Sequence, residues 1–332
     1  MRFPEFTEEW NYESLDTIAP NITSGRSKPS LGEYNLYGST GIIGKTATAD
    51  YSGDMLLVAR VGANAGSLQL VNDSCGITDN TLIIKPCKLS SHYLYFYLQH
   101  YNLNRLVFGS GQPLITAGML KKVRIPFGNQ LEQKKIENFL CCIDERIATQ
   151  NKIIEDLKKL KSAIVEMILC KQGGVLLKLG DVGSFIRGLT YSSEDIAEDI
   201  NATTVIRANN LNYGNNVSKK DVVYVNKKPT EIQILRKGDI VICMANCGIY
   251  RSSQPLVKWL MQSQRYRRLV YQSLQGGNGA IANLNGDDIL NMTFYVVEDK
   301  KSVSILSALV LIENSIAVNE KLQELYSMQK EY

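Results

Sequence analysis

Ile143-Asp144-Glu145-Arg146-Ile147-Ala148 and Ile312-Glu313-Asn314-Ser315-Ile316-Ala317 are the two stretches that decide the fold of this 332-residue chain. The second stretch repeats the first at a displacement of 169 positions, and Lys152 recurs as Lys321 at the same displacement. Self-similarity at a long interval is typical of a duplicated structural unit. The sequence therefore contains an internal repeat.

Further landmarks recur in the same order along both halves. A displacement of 163 places Arg105-Leu106-Val107 on Arg268-Leu269-Val270, and one of 185 places Gly53-Asp54 on Gly238-Asp239. Each copy therefore reads as a mixed domain followed by a long helix. We predict four segments: a first domain over 1–128, a central helix over 129–172, a second domain over 173–297 and a C-terminal helix over 298–332.

Both helical segments carry apolar residues at alternating steps of four and three, which is the seam of a coiled coil. The seam residues singled out are Ile136, Leu140, Ile143, Ile147, Gln150, Ile154 and Leu157 in the first helix and Ile305, Leu309, Ile312, Ile316 and Asn319 in the second. A helix of about 40 residues is roughly 60 Å long, more than a domain of this size can cover. We therefore expect the helices to pack antiparallel on each other, rather than each on its own domain. Gln150 and Asn319 hold the same polar position and are a hypothetical register device.

The domains read as α+β, because strands and helices do not alternate as they do in a doubly wound sheet. In the first, Tyr51–Asp54 predicts a turn, Met55–Arg60 and Thr81–Pro86 predict strands, and Ser91 is placed to cap a helix through Tyr101. In the second, 205–207 and 239–244 predict strands and 257–274 predicts a helix. The fold class is two mixed domains separated by an antiparallel coiled coil.

Composition narrows the function classes. The net charge of +4 is small, and residues 173–297 hold 14 basic against 10 acidic groups, which permits a nucleic-acid partner without demanding one. There is no run of 18 apolar residues and no secretory signal, which points to the cytoplasm rather than to a membrane. Seven scattered cysteines read as free thiols, and with two histidines in the chain no metal site is expected.

The sequence stretches that resemble nucleotide-binding or catalytic motifs do not have the spacing or partners that those motifs need. Gly38 and Gly44 are separated by five residues where a phosphate-binding loop needs four, and the residues after Lys45 read as strand and turn rather than helix. His92 and His100, the only histidines, lie on the predicted helix 91–101, where a surface or packed role is commoner than catalysis. No acid, base and nucleophile combine into a defensible site, so the chain is predicted not to be an enzyme.

The order of the motifs resembles the DNA-specificity subunits of Type I restriction–modification systems. The matching stretches are Tyr37–Gly44, Gly53-Asp54, Ala59–Gly62, Gly66-Ser67, Thr78–Leu82 and Gln130–Ile136 in the first half and Leu179–Gly188 and Gly276–Asn285 in the second. The resemblance implies that each domain reads one half of a split, asymmetric site in double-stranded DNA. The paired helices then fix the gap between the halves.

The resemblance also implies partners. Two methyltransferase subunits would dock on the helices and adjoining domain faces, and restriction motor subunits would join that core. S-adenosylmethionine, ATP and Mg²⁺ would belong to those partners, so no cofactor is expected in this chain. The second domain departs from the pattern, because it is shorter by about 22 residues, and the missing piece corresponds to Ser67–Leu89, including a strand.

Residue types that read bases or grip phosphates give the candidate DNA contacts. In the first domain they are Ser24, Arg26, Lys28, Lys45, Arg60 and Asn64. In the second they are Arg187, Arg207, Asn209, Asn246, Arg251, Arg265, Arg267 and Arg268. Two alternatives stay open: a coiled-coil adaptor that binds only proteins, favoured by the low charge, and a partial specificity-gene copy used for recombination, favoured by the missing residues.

Overall fold

The computed structural model of the chain describes residues 2–109, 113–169, 174–211, 217–218, 220–244, 247–274, 284–296 and 301–331. It divides into two compact units. Unit 1 consists of Met1–Asn151 and Lys321–Tyr332, and unit 2 of Lys152–Glu320. Each unit therefore contains one part of each long helix.

Unit 1 is built on a six-stranded sheet and a separate two-stranded ribbon. Its strands are β1 (Asn11–Ser14), β2 (Thr23–Ser24), β3 (Tyr34–Gly38), β4 (Gly41–Thr46), β5 (Tyr51–Ala59), β6 (Leu68–Ile77), β7 (Thr81–Ile84) and β8 (Arg124–Phe127). The sheet has the order β2-β7-β5-β6-β3-β4, and β1 pairs with β8 in the ribbon. All pairs are antiparallel except β3 with β6.

Strand β5 organises the core because both of its faces are covered. Leu56 and Val58 belong to one apolar cluster, while Met55 and Leu57 belong to another on the opposite face. Alternate residues of a strand point to opposite faces, so a strand between two apolar layers reads as a continuous apolar run. The predicted strand is confirmed in this stretch.

The predicted turn over Tyr51–Asp54 is wrong. These residues form the first half of β5 and pair with β6, from Tyr51 opposite Cys75 to Asp54 opposite Asn72. Their polar character reflects solvent exposure at this end of the sheet, and Gly53 adopts a positive φ of 84° within the strand. A long neighbouring strand has overridden the local turn signal.

The helices of unit 1 flank this sheet. They are α1 (Leu15–Ile18), α2 (Ser91–Tyr101), α3 (Ala117–Lys121), and the parts of α4 (Gln130–Ile168) and α9 (Lys301–Glu331) that belong to this unit. The cap of α2 is Ser90, one residue earlier than predicted, and its hydroxyl accepts from the Tyr93 N–H at 3.0 Å. The side chain of Asn129 caps α4 by accepting from the Glu132 N–H at 3.0 Å.

Unit 2 contains three smaller sheets. Its strands are β9 (Val175–Lys178), β10 (Gly183–Ile186), β11 (Ile196–Ala197), β12 (Thr203–Val205), β13 (Val223–Val225), β14 (Ile240–Ile242), β15 (Gly248–Ser252) and β16 (Thr293–Val296). Its other helices are α5 (Leu179–Val182), α6 (Pro255–Leu260), α7 (Gln264–Leu274) and α8 (Gly286–Leu290). The sheets have the orders β9-β16, β10-β15-β14 and β11-β13-β12.

The predicted helix over 257–274 is two helices. α6 ends at Leu260 and α7 begins at Gln264, and the Ser263 hydroxyl bridges the break. That hydroxyl donates to the Leu260 carbonyl at 2.6 Å and accepts from the Tyr266 N–H at 3.1 Å. Serine competes for backbone groups in this way, which favours helix ends over helix interiors. The strand predicted at 205–207 lies two residues earlier, at Thr203–Val205, and the strand predicted at 239–244 is shorter, at Ile240–Ile242.

The duplication is visible in the topology of the two units. In unit 1 the order β2-β7-β5 is antiparallel throughout, and β10-β15-β14 repeats it in unit 2. The ribbons β1–β8 and β9–β16 match as well, and each is followed by a long helix. Strand β7 therefore has a counterpart, whereas the part of unit 2 that the structure describes contains no counterpart of β6 at this place. The segment predicted from sequence to be missing, Ser67–Leu89, therefore extends too far, because it includes β7 (Thr81–Ile84), which has a counterpart in unit 2.

The two long helices pass antiparallel within each unit. In unit 1, Lys330 of α9 pairs with Asp144 of α4 at 2.6 Å. In unit 2, Lys158 pairs with Glu320 at 2.8 Å, and Leu309 lies in one apolar cluster with Val165 and Ile168. Every seam position named above is buried or half-buried, with Ile143, Gln150, Ile154, Leu309 and Ile316 the most enclosed. The predicted α+β class with an antiparallel helix pair is confirmed.

Candidate nucleic-acid interface

The turn between β6 and β7, Thr78–Asn80, gathers several polar loops at one end of the unit 1 sheet. The Arg60 N–H donates to the Asn80 carbonyl at 2.8 Å, and the Ser39 hydroxyl donates to the same oxygen at 3.3 Å. The Thr78 N–H donates to the Tyr37 carbonyl at 3.0 Å. The loop after β5 and the turn between β3 and β4 therefore meet at this turn.

The segment that follows β2 lies on the same turn. The Gly25 N–H donates to the Thr81 carbonyl at 3.0 Å, and the Ser27 N–H donates to the Ile77 carbonyl at 2.9 Å. A Cβ at Gly25 would overlap the carbonyl oxygens of Ile77 and Thr78, so only glycine allows this approach. The backbone is thus fixed while Arg26, between the two bonded residues, is exposed.

The remaining unit 1 candidates divide into two groups. Ser24 lies in β2, Arg60 is half-buried beside the turn, and Asn64 is exposed where its carbonyl accepts from the Ser67 N–H at 2.9 Å. Lys28 is exposed just beyond Ser27. We call the surface formed by residues 24–28, Ser39, Arg60–Asn64 and Thr78–Asn80 the loop face of unit 1.

Lys45 belongs to a different cluster. It lies opposite Asn35 at the far end of the β3–β4 hairpin from the turn, and its ammonium donates to the Glu33 carbonyl at 3.0 Å and to Asn35 Oδ1 at 2.9 Å. Asn35 in turn donates to Asp73 at 2.9 Å, and this bond holds the pKa of the Asp73 carboxyl below its ordinary value. Lys45 is therefore separated from the loop face.

The guanidinium of Arg251 in unit 2 forms hydrogen bonds with other groups of the protein. Its Nε donates to Asp239 Oδ1 at 2.7 Å and its Nη2 to Oδ2 at 2.6 Å, a bidentate pair with a carboxylate that is 4% exposed. Further bonds reach the carbonyls of Ile232 and Ile234 at 3.3 and 3.1 Å. This guanidinium therefore holds strand β15 against the 232–239 segment, and its role as a DNA contact stays a prediction.

Arg207 and Asn209 line a cleft of about 530 Å³ in unit 2. The Arg207 Nη2 donates to the Asp221 carbonyl at 3.3 Å, while its buried Nε has no partner within the described part of the chain. The fully buried Asn210 fixes this turn by accepting from the Arg207 N–H at 2.9 Å. Gln233 lines the same cleft and donates to the Arg187 carbonyl at 3.2 Å. The structure thus brings Arg187, Arg207 and Asn209 to one region.

The other unit 2 candidates lie elsewhere. Arg265 sits on α7 with its guanidinium 5.8 Å from the centre of the Tyr295 ring, and Arg267 and Arg268 are exposed on the same helix. Asn246 lies outside the described residues. The basic cluster on α7 is therefore a separate surface from the cleft.

Sequence reasoning missed Ser39, Asn80 and Gln233 as site residues. Thr78-Asp79-Asn80 was a visible signal, since a short polar turn between two apolar strands presents its side chains at a sheet edge. Gln233 gave no such signal, because only the folded chain brings it to the Arg187 carbonyl. Within the described residues, no group of three metal-ligating side chains occurs, and no helix is long and apolar enough to span a membrane.

Comparison with known proteins places these features in context. Residues 2–159 match the family model of the Type I restriction modification DNA specificity domain. The chain is 25% identical over 209 residues to the Type I restriction enzyme MjaVIII specificity subunit of Methanocaldococcus jannaschii, covering 55% of this chain and 48% of that protein. It is 27% identical over 159 residues to a putative type I specificity subunit of Mycoplasma genitalium, covering 42% of each. The matches therefore span about half the length of these curated relatives.

Two solved structures share the fold. A Type I restriction–modification S subunit from M. genitalium aligns over 99% of this chain and 96% of its own, with a TM-score of 0.66 and 15% identity. A chain from a structure on complex assembly and conformational transition of the type I restriction–modification system aligns over 100% and 97%, with a TM-score of 0.52 and 13% identity. At these identities the likeness establishes the architecture.

Proposed function

We propose that this chain, whose residues 2–159 match the family model of the Type I restriction modification DNA specificity domain, is a specificity subunit that binds a bipartite, asymmetric site in double-stranded DNA and catalyses no reaction itself. The observation that carries the proposal is the loop face of unit 1, which lies wholly within the matched residues 2–159. In this proposal, partner subunits carry out the covalent chemistry on DNA. The proposal places the chain in the cytoplasm with its DNA.

The loop face has the chemistry of a base-reading surface. Arg26 and Asn64 are exposed, and arginine and asparagine form the paired hydrogen bonds that distinguish guanine and adenine in the major groove. The backbone beneath Arg26 is fixed by its bonds to Ile77 and Thr81. A contact on a fixed backbone loses little conformational entropy on binding. We assign Ser24, Arg26, Lys28, Arg60 and Asn64 to this surface, with Lys45 on a separate one.

Unit 2 would read the second half of the site with its cleft. Arg207 and Asn209 line this cleft, and arginine and asparagine are residue types that form paired hydrogen bonds with bases. Arg265, Arg267 and Arg268 would hold phosphates from α7. Because the described residues of unit 2 include no counterpart of β6, we expect its reading surface to differ from that of unit 1, and the two half-sites to differ as well.

The four predicted segments, 1–128, 129–172, 173–297 and 298–332, keep their roles in this proposal. The helical segments would set the spacing of the half-sites through their seam residues. Gln150 is 7% exposed in that seam, which supports its role as a register device at some cost in stability.

Protein partners are the second part of the proposal. Unit 1 has a groove of about 850 Å³ whose lining includes Phe3, Trp10, Phe96 and Phe139. Apolar side chains also stand exposed on the long helices, with Leu131 at 76%, Met167 at 75% and Leu311 at 66%. Exposed apolar surface of this kind marks protein interaction sites. We propose that two methyltransferase subunits and the restriction subunits dock on these surfaces.

The test is co-expression with a Type I methyltransferase subunit from the same genome, followed by sequencing that maps methylated adenines. The expected result is one split motif, and an Arg26→Ala variant should relax one base position in the first half, at a cost of about 1–3 kcal/mol in binding. Arg124→Ala, an exposed change on β8 outside the loop face, is the matched control.

The rival function, an adaptor that binds only proteins, predicts a different result. The assembled complex would then bind duplex DNA equally well with either variant, with a salt slope set by the partners alone. An unchanged motif in Arg26→Ala, Arg60→Ala and Asn64→Ala together would refute base reading by the loop face.

A further inference from the structure

Cys243 and Cys247 each lie one residue beyond the last bonded pair of the β14–β15 hairpin. The register of this antiparallel pair runs from Ile240 opposite Tyr250 to Ile242 opposite Gly248. Continued by one step, the same register would place Cys243 opposite Cys247. Residues directly opposite each other in an antiparallel pair have Cβ atoms about 4.5–5.5 Å apart and point to the same face of the sheet.

The surroundings of the two thiols support this proximity. Cys243 is exposed and Cys247 is half-buried. Burial raises the pKa of the Cys247 thiol, and the neighbouring Cys243 raises it further. The Met244 backbone N–H lowers the same pKa in turn, so the start of the turn after Cys243 lies near the Cys247 thiol. Disulfides need Cβ atoms about 3.5–4.5 Å apart, so a small closure of the hairpin end suffices.

We propose that Cys243 and Cys247 form a modification site, a thiol pair that closes into an intramolecular disulfide by exchange with a small-molecule disulfide such as oxidised glutathione. The exposed Cys243 thiolate attacks one glutathione sulfur, forming a mixed disulfide and releasing one glutathione thiol. The Cys247 thiolate then attacks the Cys243 sulfur and releases the second. Two protein thiols are oxidised, one glutathione disulfide is reduced, and the two thiol protons end on the released glutathione.

The position of the pair gives the modification a consequence. Cys247 lines the cleft that also holds Arg207 and Asn209. A Cβ at Gly188 would overlap the Cys247 carbonyl, so the backbone at Cys247 is packed closely against the opposite wall. Closing the disulfide fixes this edge of the cleft. The chemistry itself does not depend on the proposed DNA function and is tested without DNA.

The experiment uses the full chain, incubated with oxidised glutathione, quenched with acid, alkylated and digested with trypsin. Lys237 and Arg251 bound one peptide, 238–251, that contains both cysteines. The expected product is this peptide lighter by two hydrogens and resistant to alkylation, about tenfold or more abundant than its glutathione adduct. The ring is favoured because the second thiol is present at a high effective concentration.

Cys141 and Cys142 are the matched control. They are adjacent on α4, where consecutive side chains diverge by about 100°, so Cys142 should take up glutathione without forming a ring. The Cys247→Ser variant should convert the ring product at 238–251 to a Cys243 adduct. A persistent adduct in the unchanged chain, or cross-linked dimers in its place, would overturn the proposal. The circular dichroism of both samples checks that the fold is retained.

Discussion

Replacing Leu309 with alanine tests whether the two long helices are packed together in unit 2. Leu309 on α9 has no exposed surface and lies in a cluster with Val165 and Ile168 of α4 and with Trp259 of α6. Truncating a fully buried leucine removes its transfer free energy and leaves a cavity, which costs about 2–5 kcal/mol. We expect the lower half of this range, since the cluster is small and close to solvent.

The assay is urea unfolding followed by the fluorescence of Trp259, which is 2% exposed in the same cluster. The chain has two tryptophans, so a Trp10→Phe background leaves Trp259 as the single reporter. Leu311→Ala is the matched control, because Leu311 lies on the same helix but is 66% exposed. Its cost should stay within about 0.5 kcal/mol. Equal, small effects of the two changes would refute the packing of α9 on α4 and Trp259.

Three further changes test other contacts. Arg251→Met should destabilise unit 2, whereas exposed Arg187→Ala should not. The Arg251 hydrogen bond lowers the pKa of Asp239, so this pair stabilises unit 2 above the ordinary aspartate pKa and stops doing so as pH falls through the lowered value. The gap between parent and Arg251→Met should therefore be widest at pH 7 and close in acid, as followed by circular dichroism; a gap independent of pH would contradict the assignment. Gly25→Ala should weaken binding of the first half-site by disturbing the loop face, while Gly44→Ala, where a Cβ meets open space, should bind like the parent in a gel-shift assay. Gln150→Leu should raise the melting temperature but allow alternative assemblies in light scattering, and an unchanged assembly state with unchanged melting would remove Gln150 as a register device.

The long helices could be predicted in detail because a seven-residue repeat constrains every turn. Each seam residue from Ile136 to Asn319 that the pattern selects is buried or half-buried. The pattern is informative because the spacing of apolar residues along a helix determines which of them face a neighbouring helix.

The sheets were harder to predict because strand ends depend on partners that are distant in sequence. Tyr51–Asp54 looks like a turn locally, yet its pairing with residues 72–75 makes it a strand. Likewise, the gap of 22 residues between the two halves of the sequence does not identify which strand of the first domain has no counterpart in the second. Only the pairing of β15 with both β10 and β14 identifies it as the counterpart of β7.

The candidate DNA contacts also show what can be predicted from sequence and what depends on the fold. Residue type alone selected Arg26 and Arg251 equally, since both are arginines in polar stretches. Folding separates them, because Arg26 is exposed while Arg251 is bound to Asp239. A sequence reports which side chains can form paired hydrogen bonds, whereas the fold decides which of them are still available.

The ribbons β1–β8 and β9–β16 have an evolutionary consequence. In each, the chain enters the domain on one strand and leaves it on the antiparallel neighbour, with Asn11 opposite Phe127 and Val175 opposite Val296. The segment between those strands could then be exchanged as one unit, provided that its contacts with the long helices, such as those of Trp259 with Val165 and Leu309, are kept. Under the proposed function, recombination between gene copies at these two borders would give a chain with new half-sites and the same helices, so that new targets would arise by exchange of whole domains as well as by single substitutions.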